Sequence, residues 1–176
     1  MSSMNDNLKI LLDSDVIRHL IKGDRLSLLH ELYGKRIVIL KVVRDELLRS
    51  TQIQTVLENF IKFYKIEIRE FPTDNIEILK EYALLRKRYG DGESACMAVA
   101  KFQKNTIASS NLKDIKEYCE NNSIVYITTM DILLEAVDCE KISETECNLI
   151  IQKVIKRKSK LPVDNIADYR RMKNQQ

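Results

Sequence analysis

Glu93 opens the stretch Gly90 to Asp114, GDGESACMAVAKFQKNTIASSNLKD, in which Ser94 to Phe102 are small and apolar almost throughout. That is the composition of a helix enclosed by other elements. The side chains at i+3, i+4 and i+7 from Glu93 are Cys96, Met97 and Ala100, so its carboxylate continues an apolar stripe. A buried, unpaired carboxylate costs several kcal/mol, and a bound cation is one way to offset that. Three further acids stand where the same cation could be reached. Asp13 ends the apolar run Leu8 to Leu12, Glu46 lies in the first helical turn after Ile37 to Leu40, and Asp114 follows the run Thr106 to Ala108 and the polar turn Ser109, Ser110, Asn111. Carboxylates converging within a few ångströms raise one another's pKa unless a cation keeps them ionised. With oxygen ligands and no nearby His or Cys pair, the suitable ion is Mg²⁺ or Mn²⁺, and the chemistry is metal-assisted hydrolysis of a phosphodiester.

Each acid also has an ordinary explanation. Ser14 or Asp15 is placed to cap the helix after Asp13, and Asp91 to cap the Glu93 helix. Asp114 alone would pass as a first-turn helix acid. The conjunction of four weighs more than any member. Other chemistries lack their residues. Glycine occurs only at Gly23, Gly34, Gly90 and Gly92, so there is no Gly-rich phosphate loop. His19 and His30 each stand alone in a helical stretch, with no Cys or Ser nearby to form a nucleophile and base. Lys101, Lys104 and Lys113 are expected around the acids, and Arg86, Lys87 and Arg88 just before Gly90, either as a solvated face or as phosphate contacts.

The elements that must position these acids alternate. Strands are expected at Leu8–Leu12, Ile37–Leu40, Tyr64–Phe71, Thr106–Ala108 and Ile124–Ile127, with helices between them, one of them capped by Asp74 and running to Tyr89. This predicts an α/β domain with a mostly parallel sheet of four or five strands covered on both sides. In such sheets ligands collect outside the carboxyl ends of the strands, where Asp13, Glu46 and the 109–114 turn fall. The expected organisation is a flexible N-terminus over 1–7, a domain over 8–160 and a basic tail over 161–176.

At 176 residues, 44% hydrophobic and 31% charged, the chain has ordinary globular composition and enough length for one core. A net charge of +3, from 29 basic and 26 acidic residues, does not by itself identify a nucleic-acid binder. Four cysteines without a CxxC pairing read as reduced, mostly buried thiols of a cytoplasmic protein. No apolar run approaches the ~18 residues a membrane span needs, and the start lacks a signal peptide's regions.

In these residues the chain resembles the PIN-domain nucleases, particularly the VapC-like toxin ribonucleases and their relatives. LLDSDVI is similar to the opening strand and first acid of that family, with Asp13 in the acidic position, and VVRDELL to the second, with Glu46. GDGESACMAVA resembles the third, with Glu93 where many members carry Asp, and ASSNLKDI the fourth, with Asn111 where Asp is frequent and Asp114 nearby. The resemblance runs from about Leu8 to Leu134, and ISETECNLIIQKVIKRKSKLP is similar to the C-terminal helix of some relatives. It implies a three-layer α/β/α fold and a Mg²⁺- or Mn²⁺-dependent ribonuclease, often dimeric and often held by an antitoxin. Asp13, Glu93 and Asp114 would then hold the metal, Glu46 would serve the attacking water, and Asp15, Asp91, Ser109 and Asn111 would support the site or the RNA. Two alternatives are a PIN-like domain that binds RNA or a partner without cutting, and a phosphoryl-transfer protein with Asp13 as nucleophile.

Overall fold

The computed structural model describes residues 8–175, so the N-terminal segment expected to be flexible lies outside the described residues. Five strands form one sheet: β1 (Ile10–Leu12), β2 (Ile37–Leu40), β3 (Glu67–Arg69), β4 (Thr106–Ala108) and β5 (Tyr126–Ile127). All neighbouring pairs are parallel and the spatial order is β3-β2-β1-β4-β5. The three central strands are buried along their whole length, which is why they read as unbroken apolar runs, whereas β3 at the edge is half-buried and alternates. Helices cover both faces, giving the α/β three-layer arrangement.

Between the strands run α1 (Ser14–Lys22), α2 (Leu28–Tyr33), α3 (Lys41–Leu47), α4 (Thr51–Tyr64), α5 (Ile76–Leu85), α6 (Asp91–Gln103) and α7 (Leu112–Asn121). After β5 come α8 (Thr129–Asp138), α9 (Glu144–Lys156) and α10 (Ile166–Asn174). α6 is the enclosed helix its composition requires: every residue from Ser94 to Ala100 is buried. The helix after β3 is capped by Asn75 rather than Asp74, because the Asn75 side chain accepts the N–H groups of Glu77 and Ile78.

The expected basic tail is instead a tenth helix. Ile166 is fully buried, and the Tyr169 hydroxyl donates to Asp131 at the start of α8 (2.8 Å). Basic residues had disguised an amphipathic segment: Arg170 pairs with Asp138 and Glu144, and Lys173 with Asp131, so the charges of α10 are answered by α8 and the start of α9. Among the described residues no helix is long and apolar enough to cross a membrane.

Candidate active site

The chain order reverses between β1 and β4: β2 and β3 lie to one side of β1, and β4 and β5 to the other. A reversal of this kind leaves a crevice at the carboxyl ends of the two strands, and ligands bind there in open α/β sheets. Asp13 is the residue immediately after β1. Its N–H donates to the Ala108 carbonyl of β4 (2.9 Å), so the ladder itself fixes where the residue sits, and only 5% of it is exposed. One carboxylate oxygen accepts the Ser14 N–H (2.7 Å) and the other the Ser109 hydroxyl (3.0 Å). Asp13 is thus the N-cap of α1, in place of Ser14 or Asp15.

Asp15, freed from capping, reaches across to the turn after β4. Its oxygens accept the N–H of Val16 (2.6 Å) and of Ser110 (2.8 Å). In the same turn the Asn111 N–H donates to the Ser109 hydroxyl (3.3 Å), and the Asn111 side-chain amide donates to both Glu93 (3.1 Å) and Asp114 (2.7 Å). The segment Ser109–Asn111 therefore supplies neutral donors to four acids from three helix starts, those of α1, α6 and α7. Glu46 joins from α3. A Cβ added at Gly92 would lie 3.1 Å from Glu46 Oε2 and 3.1 Å from Val43 Cγ2, which shows how closely the first turn of α6 is pressed on α3. Glycine there lets Glu46 sit beside Glu93, and an Arg18 guanidinium nitrogen lies 3.7 Å from the other Glu46 oxygen.

The electrostatics follow from this crowding. Burial, then the Asp15 and Glu93 charges, push the Asp13 carboxyl up to about 8 against the pull of its Ser14 and Ser109 hydrogen bonds. Burial, then Asp114, Asp15 and Glu46, raise Glu93 to about 7, opposed by Asn111. Burial also raises Asp15, although the Ser110, Val16, Asn111 and Ser109 donors oppose it. Burial and the charges of Asp13, Glu93, Asp15 and Glu46 hold the Cys96 thiol well above its ordinary range, so it is a packed, inert group beneath the acids.

Two expectations fail. Asp91 is the first residue of α6, after the cap Gly90, and its exposed carboxylate turns back to Arg86 (2.6 Å) rather than into the crevice. Lys101 pairs with Glu81 (3.0 Å), and Lys101 and Lys104 line a cavity with Leu8 and Asn105. That cavity is at the opposite end of the sheet from the acids, because α6 carries its later turns down the length of the sheet. Lys113, by contrast, lies on the side of Asn111.

Sequence reasoning missed the support beneath the site. Buried His19 shares a hydrogen bond with the Thr129 hydroxyl (2.9 Å), and that hydroxyl meets the Ser110 hydroxyl (2.8 Å), which in turn accepts the Thr129 N–H (2.9 Å). Burial, then Lys22, lower His19 to about 4, so the imidazole is neutral and structural. The available signal was Thr128-Thr129-Met130-Asp131: the Thr128 and Asp131 side chains form a reciprocal capping box at the start of α8, which fixes Thr129 beside the turn.

A family model described as a PIN domain matches residues 9–171, nearly the whole chain. The chain belongs to the PIN-domain family. No curated protein matches it. PIN domains are generally nucleases, hence hydrolases, and typically use divalent metal ions. Among the described residues of this PIN domain, no three His, Cys, Asp or Glu side chains are gathered tightly enough to form a ready-made ligand cage. What it has is a looser ring of oxygen donors held apart by Ser109 and Asn111. Such a ring fits a hard cation that keeps several of its waters, as Mg²⁺ does, better than a fully dehydrated one.

Proposed function

We propose that this PIN domain is a Mg²⁺- or Mn²⁺-dependent endoribonuclease, acting as the toxin of a toxin–antitoxin pair in the cytoplasm. The observation that carries the reading is the Asp13–Glu93 pair, two desolvated carboxylates of raised pKa tied to one turn at the switch point of the sheet. Protein folds rarely accumulate uncompensated buried acids except where a site uses them. Asp13, Glu93 and Asp114 would hold the ion. When bound, it polarises the phosphoryl oxygen and makes water a competent nucleophile near neutral pH.

The chain's own residues do the rest. Ser109 and Asn111 hold the acids apart and in register, and Asp15 anchors the turn through the Ser110 N–H. Glu46, half-exposed on the rim beside Glu93, orients the attacking water and takes its proton. Lys113 contacts the phosphate backbone without reading sequence. A small partner protein covering the crevice would keep the activity in check.

Asn111 supports a second reading, a PIN domain that binds RNA without cutting. It spends both amide donors on Glu93 and Asp114, so it neutralises part of the ring that a fourth acid would leave to a metal. RNA incubated across Mn²⁺ concentrations with wild type, Asp13→Ala and Asn111→Asp separates the two. The nuclease reading requires cleavage by wild type that stops in EDTA and in Asp13→Ala while RNA binding persists. No cleavage of any RNA by wild type would favour the binding module.

The phosphoryl-transfer alternative is the weakest fit. A receiver of that kind carries its phosphoacceptor Asp at the end of the third strand, whereas β3 here is an edge strand ending in Arg69, whose guanidinium is engaged by Glu67 (2.7 Å).

A further inference from the structure

Beside the acid ring, a cavity of about 450 Å³ opens between the start of α7, the start of α8 and the C-terminal helix α10. It shares Ser110 and Asn111 with the ring, so the two sites are one turn apart. Its apolar lining is the half-buried Tyr126, Leu161 and Met172 together with the buried Met130. Lys113, Lys116 and Lys160 also line it. Among the described residues neither Lys113 nor Lys160 has a carboxylate within 4.0 Å, and Lys116 has only an exposed contact with Glu120 at 3.9 Å, of little energetic weight. The single acid in the wall, Asp131, is already satisfied by Thr128, Tyr169 and Lys173, so it does not oppose an anion.

An apolar slot framed by uncommitted cations and set against a ring of acids suits a ligand with a flat apolar part flanked by phosphates. We propose that this cavity is a nucleotide subsite: it takes one unstacked base of the RNA strand against Met172, Leu161 and Tyr126, next to Met130. The lysines hold the phosphates on either side of that base, and the next phosphodiester is led past Asn111 to the acids. The proposal rests on the ribonuclease reading and adds what that reading lacks, a reason for the strand to enter from the α10 side. Stacking or packing of a base with phosphate contacts alongside is the general mode by which single strands are held without sequence readout. The volume lies in the range of small-ligand sites.

The five methionines give a direct probe: Met1, Met4, Met97, Met130 and Met172. Protein labelled with ¹³C at the methionine methyls is titrated, in EDTA, with adenosine 5′-monophosphate, with a short single-stranded RNA and with inorganic phosphate. The expected result is that the mononucleotide and the RNA shift the Met130 and Met172 signals while Met97, buried within α6, stays in place, and that phosphate alone does not reproduce the shifts. Lys113→Gln and Lys160→Gln should each weaken RNA binding and lower the slope of log affinity against log salt by about 1. RNA that binds without moving either methyl, equal shifts with phosphate alone, or unchanged binding in both lysine variants would overturn the subsite. Because the readout involves no cleavage, its failure is separable from failure of the nuclease reading: cleavage with unmoved methyls removes only the subsite, and moved methyls without any cleavage remove only the nuclease.

Discussion

Asp13→Asn should abolish a loss of stability that wild type suffers as pH rises above neutrality without metal. The Asp13 carboxyl titrates near 8 in the folded chain against an ordinary 3.8, so between these values the folded state holds a proton that the unfolded state has released. Stability therefore falls as pH rises through that window, by at most about 1.4 kcal/mol per pH unit. Two other groups overlap it. His19 is lowered from 6.5 to about 4 and acts in the opposite sense below 6.5, and Glu93, raised from 4.5 to about 7, adds to the fall up to that point. Between pH 6.5 and 8 Asp13 dominates, and the expected loss is about 2 kcal/mol, or roughly 4–8 °C in melting temperature for a chain of this size. Asparagine caps a helix as well as aspartate and cannot ionise, so the variant should be nearly flat across the same window. Saturating Mn²⁺ should reverse the wild-type slope, because the ion binds the ionised form, and should stabilise the variant much less. Thermal melts at pH 6.5 and 8.0, with EDTA and with Mn²⁺, give all four numbers. A variant that loses stability as steeply as wild type in EDTA would refute the reasoning.

Asn111→Asp replaces a double donor with a further carboxylate, so without metal it should lower stability by about 2–3 kcal/mol, while preserving or raising cleavage and lowering the Mn²⁺ needed for half-maximal rate; denaturant titration and an RNA cleavage series measure the two effects. His19 contributes stability that is present above its unfolded value and lost as pH falls from 6.5 towards 4, by up to about 3 kcal/mol, and His19→Gln should lack that component in urea titrations over this range. Ile166→Ala should cost about 2–4 kcal/mol in equilibrium unfolding, because α10 is part of the core; a value near zero would return this segment to a tail.

The sheet was legible because its central strands are buried on both faces, and Leu8–Leu12, Ile37–Leu40 and Thr106–Ala108 can be little else. The acids were legible as strand-end and helix-start residues, and the apolar composition of α6 pointed to an enclosed helix with Glu93 at its mouth. What the chain order hid was side-chain direction. Asp13 took the cap expected of Ser14 or Asp15 because its N–H is drawn into the β1–β4 ladder, which orients its own carboxylate towards Ser14 and leaves Asp15 to hold the turn after β4. Asp91 and Glu93 lie two apart on one helix and so face different ways, one towards Arg86 and one towards Asn111. α10 was hidden for another reason: its charge is paired across helices, and pairing over long sequence separations leaves no local signal.

If the acids around Ser109–Asn111 form one divalent-metal site, as proposed, the ion should be visible there. Anomalous diffraction from crystals soaked in Mn²⁺ locates it. The expected peak lies in the crevice between β1 and β4, about 2.1 Å from an Asp13 oxygen and directly ligated by Glu93 or Asp114, with waters completing its coordination. A fully occupied peak elsewhere on the protein, with none in that crevice, would contradict it.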